Sequence, residues 1–452
     1  MQQRPYPLEI LFGRILSPFE RFLQRATAGG LILVGTTVLT LLIANSPWGP
    51  SFHHFWEISA GVNLGGFRLE QSLHHWINDG LMVLFFLLVG LELKREILVG
   101  ELTSLRDAAL PIIAAAGGML VPALIYWSFN PSGPAAAGWG IPTATDIAFA
   151  VGILVLLSWR IPKNLIIFLT ALAIADDLGA VLVIAIFYTS DLNMEALASA
   201  GFVLGLLVLI NQGGIRHPLP YIILGLFLWF FTLVSGVHAT ISGVLLAFTI
   251  PARSAHTPRQ FADRVGELSR TFLEEAKNPD TPDNALANQR MAMAAENLER
   301  AAEAVQAPLQ RMEHNMNPWI TFLIIPLFAF ANAGIDFSQM NPGEALMSPV
   351  TQGVLLGLVI GKFIGVGGAS WLAIRLGLGR LPSGVYWRHM LGAAWLAGIG
   401  FTMSLFISQL AFSDPLLVEE AKLGILSASL IAAIIGLIWL YFSAGERPQE
   451  AS

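Results

Sequence analysis

Long apolar runs dominate the chain, and polar residues gather in the gaps between them. Twelve runs reach or approach the ~20 apolar residues of a spanning helix: 27–46, 73–99, 107–129, 143–158, 164–188, 194–211, 218–235, 236–251, 318–335, 350–374, 389–412 and 421–443. The stretch 218–251 is read as two segments because Gly236 and His238 interrupt it, and the short run 143–158 starts behind Pro142. Two gaps have a pattern of their own. Residues 47–72 alternate at VNLGGFRLE around Gly65-Gly66, which predicts a β-hairpin. Such a hairpin outside the membrane has few partners in its own chain, so pairing with a second subunit would satisfy its edges. Residues 252–315 are rich in Ala, Glu, Gln and Arg, which are strong helix formers. They predict one or two soluble helices with a rough apolar stripe at Leu286, Met293, Leu298 and Val305.

Composition narrows the class. Of 452 residues, 55% are hydrophobic and 12% charged, about half the ~25% charge of a soluble domain. This excludes a disordered chain, a nucleic-acid-binding surface and an ordinary soluble enzyme. With no cysteine in the chain, disulfides, thiolate metal sites and a cysteine nucleophile are excluded as well. No cleavable signal is expected. Residues 1–26 carry Arg4, Arg14, Arg21 and Arg25, with Ile10, Leu11, Ile15, Phe19 and Phe22 at helical spacing, and suggest a surface-lying amphipathic helix.

The lysines and arginines give an orientation. With both termini in the cytoplasm, 22 fall inside and only Arg68 outside, while Lys362 lies within a span and Lys422 at a span edge. Inner loops carry the Lys/Arg excess, so the split supports an even span number. The expected layout is an N-terminal segment 1–26, spans one to eight in 27–251, a cytoplasmic helical insert 252–315, spans nine to twelve in 316–443 and a tail 444–452.

Ionisable residues inside spans are costly and usually functional. Asp176 and Asp177 lie in ALAIADDLGAVLVIA, flanked on both sides by mostly apolar residues. Asp146 lies in GIPTATDIAFAVG, where Pro142 opens the span and Thr143 and Thr145 can satisfy freed backbone groups. Lys362 lies in LVIGKFIGVGG, and Gly357, Gly361 and Gly365 would let its helix approach a neighbour closely. Asp79 lies near the outer end of span two, where a water-facing helix end accounts for it equally well. Glu92 and Glu96 lie at the inner end of the same span, where a solvated cytoplasmic face is the default reading.

Spans four and eleven both look interrupted, the latter by Gly398, Gly400, Thr402 and Ser404. Paired interruptions in corresponding positions of two halves point to a transport site. Hard cations prefer oxygen ligands, and carboxylates buried together tend to hold either protons or a cation. A site that exchanges the two, with access alternating between sides, is an antiporter.

The motifs INDGLMVLFFLLVGLELKRE, PTATDIAFAVG, ALAIADDLGA, GVHATISGV, PWITFLIIPLFAFANAG, GKFIGV and GIGFTMSLFI together resemble the NhaA family of bacterial Na⁺/H⁺ antiporters, over roughly residues 10–445. That family is a type case of paired broken helices, so the repeat argument is not independent of the resemblance. The resemblance implies an all-α integral membrane fold of twelve transmembrane helices with inverted-topology repeats and two discontinuous helices. It implies a transporter rather than an enzyme, placed in the bacterial inner membrane and serving pH homeostasis. Internal Na⁺ or Li⁺ would be exchanged for external protons, and no cofactor is expected. By resemblance, Asp176 and Asp177 are the ion-binding pair, Thr145 and Asp146 belong to the helix crossing and compensate its dipoles, and Lys362 pairs with the first aspartate. Glu92, Glu96, Glu313 and His238 match residues tied to pH response, and the 47–72 loop matches a homodimer contact.

Two departures concern the pH-sensing region. Asn317-Pro318-Trp319 stands where the family often has His-Pro-Trp, leaving His314 as the nearby titrating group, and the 252–315 insert is longer than the family's usual short loop. Among rival readings, an intramembrane aspartyl protease needs its aspartates on different helices, whereas these are adjacent. A channel needs ligands along a continuous pore. A K⁺ or Li⁺ antiporter remains open on the ligand set.

Overall fold

The computed structural model describes residues 28–64, 67–100, 103–189, 192–277, 288–338 and 341–443. The N-terminal segment 1–26, the tail 444–452, the Gly65-Gly66 turn and Leu286 lie outside them. The described chain is almost entirely helical, and its exception is the antiparallel pair β1 (Ser59–Leu64) and β2 (Phe67–Ser72), joined in register from Ser59 opposite Ser72 to Leu64 opposite Phe67. The alternation around Gly65-Gly66 predicted this pairing.

The helices are α1 (Ala28–Ala44), α2 (Gly49–Glu57), α3 (Met82–Val99), α4 (Leu105–Phe129), α5 (Ile147–Leu156), α6 (Lys163–Phe187), α7 (Met194–Gln212), α8 (Pro218–Val234) and α9 (Ile241–Thr249). Then come α10 (Pro258–Lys277), α11 (Gln289–Val305), α12 (Pro308–Trp319), α13 (Ile325–Asn332), α14 (Pro342–Met347), α15 (Pro349–Leu356), α16 (Lys362–Arg375), α17 (Trp387–Leu396), α18 (Phe401–Ala411) and α19 (Pro415–Ser443). Among the described residues, six helical stretches are long and apolar enough to cross a membrane, and eight if two bent helix pairs each count as one span. Many large apolar side chains point outward, among them Leu120, Leu124, Ile186, Phe202, Leu226 and Leu430. In water such a surface would be an aggregation liability; in lipid it is the solvent-facing side.

Local chemistry explains the interruptions. Asp146 is not helical, and a 3₁₀ segment (Pro134–Thr143) ends just before it while α5 begins just after. Gly398 and Gly400 lie between α17 and α18, which are bent by 45°. Gly236, at φ +83°, sits in the turn between α8 and α9 and takes a conformation open mainly to glycine. Three π-helical turns, Trp76–Leu81, Ile320–Ile324 and Gly357–Gly361, precede α3, α13 and α16.

Two expectations shift. The helix leading into 318–335 already begins at Pro308, because Pro318 is tolerated inside α12. The insert therefore contributes a helical hairpin, α10 and α11, rather than everything to residue 315. Its apolar stripe also differs: the buried residues are Ala294 and Ala301 on α11 and Leu268 on α10, whereas Met293 and Leu298 are exposed. Small alanines let the two helices approach, and that favours the alanine face over the larger side chains.

Glycines bring α4 and α16 together. A Cβ on Gly361 would stand 2.8 Å from Pro122 Cα, and one on Gly118 would stand 2.8 Å from Val366 Cγ2. This close approach carries Lys362 to the centre of the protein, where it is fully buried.

Candidate ion site

Asp176 and Asp177 occupy the middle of α6, both buried. Lys362 opens α16 and donates from Nζ to Asp176 Oδ2 at 2.6 Å and to the Thr143 carbonyl at 2.5 Å. The ammonium thus lies between a carboxylate and the carbonyl that ends the 3₁₀ segment. Partial negative charge gathers at the C-terminal end of a helical segment, so the lysine is favoured by both contacts.

Asp146 is the mirror case. Its Oδ1 accepts from the Phe149 N–H at 3.0 Å, capping α5. Its Oδ2 accepts from the Thr402 N–H at 3.1 Å and the Thr402 hydroxyl at 2.5 Å, at the start of α18. Two helix N-termini, each with unpaired N–H groups and partial positive charge, meet on one carboxylate. The Asp146 N–H donates to the Ile399 carbonyl at 2.7 Å, the Thr145 hydroxyl to the Ala397 carbonyl at 2.9 Å and the Ser404 hydroxyl to the Ile141 carbonyl at 2.7 Å. The two interrupted segments therefore satisfy each other's freed backbone groups, as buried polar backbone requires.

Asp177 differs from its neighbour. Neither of its carboxylate oxygens has a protein hydrogen bond, although both are buried. It lines a cavity of about 210 Å³ together with Asp146, Thr402, Glu92 and Asn317. Gly29 and Gly30 also line this cavity, so it lies toward the end of the bundle where α1 begins. The arrangement offers a small cation two carboxylates and a hydroxyl on the wall of one cavity. Among the described residues, no group of three or more His, Asp or Glu side chains has the geometry of a resident metal site.

The remaining sequence candidates fall into two further clusters. Arg95 reaches Glu96 at 3.2 Å and Glu313 at 3.1 Å, joining α3 to α12. Burial pushes the Glu313 carboxyl above its usual range, and Arg95 opposes that. Exposed His314 follows it. His238 lies toward the other end of α3, with Nδ1 3.8 Å from Asp79 Oδ1. From Asp79 to Arg95 is about 24 Å along a helix at 1.5 Å per residue. Of the candidates tied to pH, only Glu92 shares the cavity with Asp177.

Sequence reasoning passed over Thr402 as the partner of Asp146 and Arg95 as a hub. Thr402 had a signal: a hydroxyl directly after the Gly398–Gly400 interruption, in a helix that is otherwise apolar. Arg95 had none, since its partner Glu313 is remote in sequence.

The profile of the family described as Na⁺/H⁺ antiporter 1 matches residues 20–440. The chain is 65% identical to a protein named Na⁺/H⁺ antiporter NhaA from Syntrophobacter fumaroxidans, over 98% of this chain and 93% of that one. It is 60% identical to a protein of the same name from Acidithiobacillus ferrooxidans, over 94% of this chain and 98% of that one. A protein named Na⁺/H⁺ antiporter NhaA 1 from Saccharophagus degradans is 49% identical, over 100% and 97%. With its apolar helical bundle and this similarity along nearly its whole length, the chain belongs to the NhaA family of Na⁺/H⁺ antiporters and is an integral membrane protein.

Proposed function

We propose that the protein extrudes cytoplasmic Na⁺, and Li⁺, in exchange for external protons across the bacterial inner membrane, by alternating access of the Asp176–Asp177 pair. The single observation that carries this reading is Asp177: a buried carboxylate with no protein hydrogen bond, lining a cavity shared with Asp146 and Thr402. A carboxylate in that position must hold a proton or a cation. Asp176 has Lys362 instead. When Na⁺ binds, Asp177 gives up its proton and Asp176 exchanges its lysine contact for the ion. The ammonium sheds the second proton. Two protons against one Na⁺ move one net charge per cycle, so exchange is electrogenic.

In this reading twelve helices cross the membrane, including the short and interrupted ones, and both termini lie in the cytoplasm. The interrupted fourth and eleventh spans cross at Asp146 and Thr145. Arg95, Glu96, Glu313, Glu92 and His238 adjust activity with pH, and the β1–β2 hairpin joins two copies. Nothing in the scheme needs a cofactor.

The test is exchange in proteoliposomes carrying a pH dye, with Na⁺, Li⁺ and K⁺ compared across pH, and charge movement on a solid-supported membrane. A Na⁺ jump should give both proton movement and current. Proton movement without current would refute the stoichiometry, and K⁺ exchange equal to Na⁺ would refute the ion assignment.

A further inference from the structure

Among the described residues, the sites already set out leave one buried charge unused. Lys422 lies on α19, is 8% exposed and is paired with Glu419 Oε1 at 2.7 Å on its own helix. Its Nζ also donates to the Gly334 carbonyl at 3.1 Å. Gly334 follows the C-terminus of α13, so the ammonium sits where that helix carries partial negative charge. The second oxygen of Glu419 is buried without a hydrogen bond. An ion pair desolvated to this extent gains little net stability by itself, and its position suggests a different use.

The residues flanking Gly334 are held by another group of elements. Asn45, beyond the end of α1, donates to the Ile335 carbonyl at 2.8 Å and accepts from the Phe337 N–H at 3.0 Å. Asn332 donates to Asn78 Oδ1 at 3.0 Å and meets His74 Nε2 at 2.9 Å, which fixes the end of α13 to the turn before α3. The segment after α13 therefore belongs with α1 and α3. Lys422 belongs with α19, which packs on α15, α17 and α18, the elements around Lys362 and Asp146. The two groups also meet through rings: Phe406 of α18 lies with its centroid 6.2 Å from Phe328 of α13, 5.5 Å from Phe86 of α3 and 5.8 Å from His238. The ion cavity opens toward the other end of the bundle, beside Gly29 and Asn317. One face is thus occupied by a cavity and the opposite face by an aromatic contact with a lysine across its rim.

We propose that Lys422 is a positioning residue for the exchange: by joining α19 to the Gly334 carbonyl it holds the outer face closed while the ion cavity is open to the inside. The contact is a single charged hydrogen bond to a helix end, strong enough to bias two arrangements and weak enough to part in each cycle. This rests on the proposed orientation and alternating access.

The chain has no cysteine, so introduced thiols report alone. Ser408 is fully buried in the C-terminal half of α18, the half that leads into the turn before α19. In a Ser408→Cys background, Lys422→Gln should raise labelling by a membrane-impermeant maleimide from the outside several-fold and leave labelling from the inside unchanged or slower. Lys422→Arg should restore the slow outside rate. Equal acceleration from both sides would mean a loosened fold and would overturn the proposal, as would an unchanged outside rate. Gly334→Cys with Lys422→Cys provides a second route that does not depend on the stability of the glutamine variant. Bridging the two thiols with a short bis-methanethiosulfonate should stop exchange, and reduction should restore it. Exchange persisting in fully bridged protein, verified by mass, would also overturn the proposal. Labelling needs no transport. If the unmodified chain fails to exchange Na⁺ for protons, the functional reading fails; if it exchanges and the labelling result is negative, only the role of Lys422 fails.

Discussion

Two ion pairs in this protein have the same length and opposite significance. Lys362 and Asp176 meet at 2.6 Å, with side chains 0% and 1% exposed. Arg300 and Glu296 in the α10–α11 hairpin also meet at 2.6 Å, but are 71% and 58% exposed. Distance therefore says little about consequence, and surroundings say nearly everything. Water screens the hairpin pair, which is worth ~0–1 kcal/mol. The buried pair has lost its water, so removing one partner strands a charge at ~3–5 kcal/mol. The hairpin can be built from many charges because each is cheap. The site holds few because each needs a partner, a proton or an ion.

The sharpest way to break this contrast is at Asp177. Asp177→Asn keeps the volume and removes the titratable ligand, so Na⁺-dependent proton movement in proteoliposomes should fall to background. Near-normal exchange in this variant would remove the site assignment altogether.

Next in size is the pair itself. Asp176→Asn and Lys362→Ala should each lower thermal stability in detergent by about 3–5 kcal/mol and impair exchange severely. Asp176→Asn with Lys362→Gln removes both charges and should regain part of that stability. A thermal-melt cycle measures the coupling; simple additivity would show that the pair is energetically idle. In the hairpin, Arg300→Ala should change stability by less than ~0.5 kcal/mol, and the same cycle with Glu296 should give almost no coupling.

The hairpin as a whole is expected to be dispensable. The Ala255 N–H donates to the Ala304 carbonyl at 2.8 Å, so the two ends of the excursion already lie side by side. Excising residues 257–303 and closing this gap should leave Na⁺/H⁺ exchange intact and shift only its pH midpoint, since Glu303 reaches Arg311 on α12 at 3.1 Å. Complete loss of exchange in a well-folded deletion would indicate a gating role.

The smallest effect lies between the two extremes, at Glu313. Burial raises its carboxyl above the ordinary value of 4.5, against the pull of Arg95. The folded chain then binds that proton more tightly than the unfolded chain does. The associated stability is fully present below pH 4.5 and is lost as pH rises through the raised value. Melts of the wild type and Glu313→Gln from pH 4 to 7 should show a shallower decline in the glutamine variant. Parallel curves would mean that Glu313 titrates normally.

How much of this was legible in the sequence depends on the kind of signal. Asp176, Asp177, Asp146 and Lys362 stood out because a charge among apolar residues has no ordinary explanation, and the structure buries all four. The β1–β2 pairing and the break at Gly236 were legible for a similar reason, since each is local chemistry. The Arg95–Glu313 contact was illegible because it joins helices remote in sequence. The α11 stripe was misread because the pattern of large apolar residues was followed, whereas packing selected Ala294 and Ala301. The start of α12 was misplaced because hydropathy marks where a helix turns apolar, not where its hydrogen bonding begins.

The π turn before Lys362 has a consequence of phase. The Lys362 N–H bonds to the Gly357 carbonyl, five residues back instead of four. An α-helix turns about 100° per residue, and a π turn accommodates one residue more than the α-helical ladder would. Residues on either side of it are therefore out of step by about that angle. Where the bulge begins, Gly357 packs against Pro142; just after it, Lys362 meets Asp176. A one-residue deletion within Gly357–Gly361 would remove the extra residue and let a plain α-helix keep both contacts, whereas an unbulged helix of the present length would rotate the lysine about 100° away from its carboxylate.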